Sequence, residues 1–113
     1  MQAPQEAMLL RIYTEEGKRD GDGPLYEHIV MKARAARLAG ATVLRGPMGY
    51  GQSAVLHTAK ILDLSARLPL VIEIVDAEDK IRAFLAELDG LHDLGLVTLE
   101  KVEVVHYGRP ADR

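Results

Sequence analysis

The chain has 113 residues, 48% of them hydrophobic and 27% charged, with a formal net charge of −3 and no cysteine. That length builds a single domain, enough to bury roughly two thirds of the surface its unfolded form exposes. The acidic balance argues against nucleic acid as the main partner, since phosphate neutralisation needs a basic face. Four tyrosines, one phenylalanine and no tryptophan leave little for a single-strand stacking platform. The absence of cysteine excludes disulfides and thiolate metal sites and fits a cytoplasmic protein. No apolar run approaches the about 20 residues that span a bilayer, so direct membrane insertion is not expected.

The opening MQAPQEA has neither a basic start nor an apolar segment. It reads as a loose tail over residues 1–7 rather than a signal peptide. A domain over 8–108 and a short tail over 109–113 follow. LLRIYT, from Leu9 to Thr14, alternates as a strand with Leu10 and Ile12 on one face. EEGKRDGDGP is turn chemistry. Asp22 or Gly23 can cap the next helix, and Pro24 suits its first turn. Leu25, Ile29, Ala33 and Ala36 recur at helical spacing, with Gly40 as the expected stop.

Thr42 to Arg45 reads as a short strand, and LVIEIV after Pro69 as a central one. Asp76 is placed to cap a second helix with an apolar stripe of Ile81, Phe84, Leu85 and Leu88, ended by Gly90. A last strand runs from about Val97 to Tyr107. Its alternation changes phase between Leu99 and Val102, which predicts a bulge. The order strand, helix, strand, long insert, strand, helix, strand is that of an α+β ferredoxin-like βαββαβ sandwich. Its four-stranded antiparallel sheet carries two helices on one face. The other sheet face is left bare, which predicts packing against further copies of the chain.

The insert between the second and third strands, Gly46 to Pro69, is too long for an ordinary connection. Its GPMGYGQSAVLHTAK stretch approximates a phosphate-binding G-x-x-x-x-G-K-[ST] loop, but Gln52 stands where the lysine should be. Gly49-x-Gly51-x-x-Ala54 also imitates a dinucleotide fingerprint, without the acidic residue on a second parallel strand. A plainer reading is that Gly46, Gly49 and Gly51 permit positive φ in a bend while Ser53 caps a helix over AVLHTAKILDL. Against that, glycines also let backbone N–H groups approach an anion, and Arg45, His57 and Lys60 supply donors or charge nearby. Ligand or partner recognition is the favoured reading of the insert.

The four histidines fall on different elements without i, i+4 spacing, so no metal site is expected. Ser53 and Ser65 lack a nucleophile-elbow motif. Glu73 interrupts an apolar strand; it either faces solvent or pairs with a cation from the insert.

LYEHIVMKAR, LAGATVLRG, MGYG, HTAKIL, LPLVIEIVD and GLVTLEKVEVVHY together resemble PII-like signalling proteins, specifically the family called domain of unknown function 190. The resemblance covers Leu9 to Tyr107 and implies a ferredoxin-like homotrimer with inward-facing sheets. It also implies small effectors, often adenine nucleotides, in clefts between subunits, and a long loop that signals to a partner, often a membrane transporter. GATV is similar to the segment whose threonine lies beside the adenine, nominating Thr42. MGYGQ resembles the glycine-aromatic-glycine step at the base of the recognition loop, nominating Gly49, Tyr50, Gly51 and Gln52, with Ser53 next to it. Glu73 matches an acidic position on the strand leaving that loop, and His106 takes a position held by arginines on the last strand. DGLHDLGL departs from the glycine-rich, lysine-bearing phosphate loop of the family, and Asp89 and Asp93 would repel a triphosphate.

The resulting expectation is a non-enzymatic, cytoplasmic sensor with no required cofactor, holding AMP or ADP in preference to ATP. Its effector set is Thr42, Arg45, Gly49, Tyr50, Gly51, Gln52, Ser53, His57, Lys60, Glu73 and His106. The alternatives are a small oligomeric enzyme using His57 or His106 for acid–base chemistry, and a structural module whose insert binds a protein without any effector.

Overall fold

The computed structural model describes residues 5–51, 55–58, 67–88 and 94–108. Six main elements follow in chain order: β1 (Gln5–Glu15), α1 (Leu25–Ala35), β2 (Thr42–Arg45), β3 (Pro69–Asp76), α2 (Glu78–Glu87) and β4 (Val97–Val104). The strands lie side by side as β2-β3-β1-β4, every neighbour antiparallel, which is the ferredoxin-like order. β1 starts at Gln5, paired with Val104, so the sheet begins inside the segment read as a tail.

Alternation along the central strands divides the sheet into two faces. Met8, Leu10 and Ile12 of β1 and Ile72 and Ile74 of β3 point to the helices. They meet Leu25, Ile29 and Ala33 of α1, and Ile81, Phe84 and Leu88 at α2. Complete burial of side chains of this size stabilises by about 1.5–3 kcal/mol each. Val43, Val97 and Leu99 close the margins of this core. The β1–β4 ladder runs without interruption from Gln5↔Val104 to Ile12↔Val97, so the expected bulge is absent. The phase change has another cause: Val97 and Leu99 belong to the helix-side face, whereas Val102 and Val104 belong to the open face. The strand ends at Val104 rather than near Tyr107.

Helix boundaries differ from expectation for identifiable reasons. Pro24 is the residue before α1 and carries no side-chain cap. It pairs instead with Arg19 in a small hairpin, Arg19–Asp20 against Gly23–Pro24, whose turn uses Gly21 at φ 64°. His28 of α1 is tied to that hairpin, its Nδ1 lying 3.0 Å from Asp20 Oδ2.

α1 stops before Gly40, at Arg37, which takes φ 61°. The Leu38 N–H bonds the Ala33 carbonyl at 3.1 Å and the Arg37 N–H bonds that of Arg34 at 3.0 Å, the paired bonds of a Schellman stop. Asp76 does not cap α2, whose N-cap is Ala77. Buried to 4% exposure, it accepts the Ala77 N–H at 2.7 Å and the Ala39 N–H at 2.8 Å. It thereby ties the α1–β2 connection to the end of β3.

Left-handed backbone costs a non-glycine residue roughly 1–2 kcal/mol, and glycine returns part of that gain through the entropy of the unfolded chain. Arg37→Gly is therefore expected to raise unfolding stability by about 0.5–1 kcal/mol. Urea denaturation would show this as a higher midpoint at unchanged slope.

Candidate functional site

The insert leaves β2 after Arg45 and returns at Pro69, and both roots stand against the end of β1. Gly46 N–H donates to the Pro69 carbonyl at 2.9 Å, closing the base. Beyond it, Met48–Gly49 pairs with His57–Thr58 as a short antiparallel rung. Residues 55–58 are therefore not helical, and the helix read from Ser53 onward gives way there. Neither is this a nucleotide-binding strand–loop–helix turn, because the sheet is antiparallel and the glycines lead into a hairpin. Among the described residues Gly21 is the only glycine with positive φ, so Gly46 and Gly49 are not bend glycines. They lie against the Pro69 ring, which leaves no room for larger side chains.

Glu16 binds the two roots together. Its Oε2 accepts from Arg45 Nη2 at 2.8 Å, and its Oε1 accepts the Leu68 N–H at 2.9 Å. Its own N–H donates to the Leu68 carbonyl at 2.9 Å. Arg45 thus serves as a clamp partner rather than a free cation facing a ligand, which corrects its expected role.

A cavity of about 1110 Å³ opens beside this clamp. The end of β1 (Tyr13, Thr14, Glu15), Lys18 and the insert roots (Gly46, Met48, Gly49, Tyr50, Gly51, Val55, Arg67) line it, together with Pro69, Leu70, Val71 and the 94–96 segment before β4. The last segment is held close because Tyr13 N–H donates to the Leu96 carbonyl at 2.8 Å. Gly95 lies so near the Tyr13 carbonyl that any β-carbon would collide with it. Gly49, Tyr50 and Gly51 are therefore brought together with the α2–β4 connection, and Tyr50 is 73% exposed at the rim.

The other nominated residues lie elsewhere. Thr42 is exposed on β2 opposite Glu73, and Glu73 stands opposite Arg11. Glu73 neither faces solvent alone nor reaches the insert; its Oε2 accepts from Arg11 Nε at 2.8 Å. Arg11 also reaches Glu100 Oε2 at 3.3 Å. The hydrogen bond from Glu73 raises the guanidinium pKa above its already high ordinary value, so Arg11 is a permanent cation.

His106 follows β4 as an exposed residue beside Tyr107, whose hydroxyl donates to the Ala39 carbonyl. Ala39 is held by Asp76, whereas Gly46 is held by Pro69 at the opposite end of β3, about 23 Å away at the usual rise per residue. Within one protomer His106 and the Gly49–Gly51 step do not share a cavity. Gln52, Ser53, Lys60, Asp89 and Asp93 lie outside the described residues, and of His57 only the backbone is described.

Sequence reasoning missed Glu16, Lys18, Arg67 and Arg11. The first two sat in a stretch read simply as a turn. Arg67 stood unremarked before Pro69, and Arg11 was one position of an alternating strand.

Fold and site together define a PII-like protein. The family model for DUF190, described as "Uncharacterized ACR, COG1993", matches residues 7–104. A UPF0166 protein of Aquifex aeolicus is 43% identical over 98 residues, spanning 87% of this chain and 92% of that one. The UPF0166 protein MJ1524 of Methanocaldococcus jannaschii is 34% identical over 100 residues, 88% and 92% of the two chains. This chain therefore belongs to the DUF190 family.

Among solved structures, a PII-like signalling protein of Thermus thermophilus superposes with TM-score 0.63 at 17% identity, over 88% of this chain and 90% of its own. CPII of Thiomonas intermedia, solved with ADP and bicarbonate, gives TM-score 0.65 at 17% identity, over 90% and 91%. At that identity the likeness establishes the fold.

Removing the Glu16 carboxylate releases the Leu68 amide and Arg45 together. Glu16→Ala is expected to lower the local opening free energy at the roots by about 1–2 kcal/mol. Native-state hydrogen exchange at the Leu68 amide should accelerate by about tenfold or more, while the core amides of Leu10 and Ile72 keep their protection.

Proposed function

We propose that this protein is a PII-like regulator that works as a homotrimer and carries no catalytic chemistry of its own. An adenine nucleotide, AMP or ADP in preference to ATP, binds at a subunit junction. Its occupancy changes the order of the insert, which a protein partner such as a membrane transporter reads. The observation that carries this reading is the cavity itself. It is the one place described where the insert roots, the end of β1 and the α2–β4 connection meet, so an occupant would touch all three. CPII, with the same fold, was solved with ADP and bicarbonate and again with ADP, AMP and bicarbonate.

The bare sheet face supports the oligomer. Leu9, Val71, Val75, Val102 and Val104 alternate onto it, with Leu44 48% exposed. Arg11 stands among them paired to Glu73 and Glu100, so the face carries its main cation already compensated. A charge that must leave water in an interface needs such partners. The distance between His106 and the Gly49–Gly51 step fits the same arrangement: if both serve one effector, a neighbouring chain supplies His106. Thr42, Gln52, Ser53, His57, Lys60 and Glu73 complete the proposed effector set. Acid–base catalysis by His106 draws no support from the cavity, which lies at the other end of the sheet.

Calorimetric titration with AMP, ADP, ATP and adenosine is expected to show binding of AMP and ADP, with ATP weaker. Absence of heat and of any thermal shift with all four would defeat the nucleotide reading. Sedimentation equilibrium should return a trimer, and Val75→Asp, which sets a new charge in the bare face, a folded monomer; a wild-type monomer would defeat the oligomer.

A further inference from the structure

Two cations line the cavity without a counter-charge among the described residues. Lys18 is half-buried in the turn after β1, where the Leu25 N–H bonds its carbonyl at 2.9 Å and fixes its place. Arg67 comes just before the return into β3, and its side chain runs across Gly17. A β-carbon on Gly17 would stand 2.9 Å from Arg67 Nε and 3.0 Å from Nη1, closer than side chains tolerate. The guanidinium is therefore laid alongside Gly17 and next to Lys18 in sequence, and both cations face one space.

A second, independent feature lies in the same lining. Thr14 Oγ1 is buried and has no hydrogen-bond partner. Buried hydroxyls are nearly always satisfied, and an orphan one at a cavity calls for an occupant that can accept or donate. Glu15, the carboxylate of this lining, already has an interaction of its own.

We infer that Lys18 and Arg67, with the Thr14 hydroxyl, form the anion-binding end of this cavity and hold a phosphoryl group of its ligand. A guanidinium fork matches phosphate oxygens two at a time, and an ammonium adds a point charge. Gly17 is the residue that lets Arg67 lie in that position. The rest of the lining, with Tyr13, Tyr50 and Leu96, is suited to a flat apolar group such as a base. The inference rests on the proposed nucleotide reading only for the molecule that carries the phosphate.

The test uses the full chain and two probes, pyrophosphate and AMP, with adenosine as the phosphate-free control. Arg67→Gln and Lys18→Gln should each weaken pyrophosphate and AMP by about tenfold or more and leave adenosine unchanged. Gly17→Ala keeps both charges but displaces Arg67, and should weaken the two anions in the same way; Arg67→Lys should recover part of the loss. Thermal unfolding of each variant shows whether it is folded.

Binding of AMP at wild-type affinity by folded Arg67→Gln and Lys18→Gln proteins would overturn the inference while sparing the nucleotide reading. Failure of the wild type to bind either anion would overturn it as well, as would an equal loss of adenosine and AMP affinity. Binding of pyrophosphate that depends on Arg67, with no binding of any nucleotide, would uphold the anion site and remove the nucleotide.

Discussion

β1 is hydrogen-bonded along both flanks, to β3 on one side and β4 on the other, and the strict alternation of its side chains governs the molecule. Leu10 and Ile12 are completely buried under the helices, so Leu9, Arg11 and Tyr13 must face the other way. A slip of one residue would bury Arg11 in the core and expose Ile12. The register is therefore fixed by the cost of that exchange. It also determines that the open face carries an arginine at its centre and that β1 runs out toward the insert.

The stretch from Thr14 to Lys18 has two tasks that would usually belong to different elements. Glu16 binds the roots of the insert to each other, while Thr14, Glu15 and Lys18 line the cavity next to them. An occupant of the cavity would therefore press on the same few backbone atoms that hold the insert in place. No long relay is required, because the Glu16 bonds to Leu68 and Arg45 are local and can be made or released as a unit. In the proposed switch, the two states differ chiefly in whether that clamp is closed.

The element order and the division of the sheet into faces were legible because they follow from periods of two and 3.6 residues. Leu10, Ile12, Ile81, Phe84 and Leu88 all stand where those periods put them. The errors occur where long-range partners decide. The end of α1 was assigned to Gly40 on glycine preference, yet Leu38 bonding back to Ala33 ends the helix at Arg37. The supposed bulge in β4 came from treating one strand's hydrophobic pattern as if a single face were apolar throughout, whereas the covered face turns polar at Lys101 and the open face turns apolar at Val102. Of the site, the Gly49–Gly51 step was visible as an odd composition. Glu16, Lys18 and Arg67 were not, since nothing local distinguishes a charged residue in a turn from one that a distant segment will meet. Glu73 shows the same limit: its partner is 62 residues away in sequence, on a neighbouring strand.

The distribution of paired and unpaired cations separates the two surfaces. On the open face Arg11 has Glu73 at 2.8 Å and Glu100 at 3.3 Å, so its charge is compensated before any other chain approaches. At the cavity Lys18 and Arg67 have no ion-pair partner among the described residues, although the whole chain is acidic by three charges. Carboxylates are thus plentiful but are placed elsewhere, Glu73 on the sheet and Glu16 on the clamp. A surface destined for burial against protein must neutralise itself, because no solvent will remain to screen it. A pocket that admits an anion must stay uncompensated, because the ligand supplies the missing charge. The acidic α2–β4 connection, with Asp89 and Asp93 in its sequence, sets the upper limit on how much negative charge such a ligand can bring. That limit is the physical reason for expecting one or two phosphates at this site in preference to three.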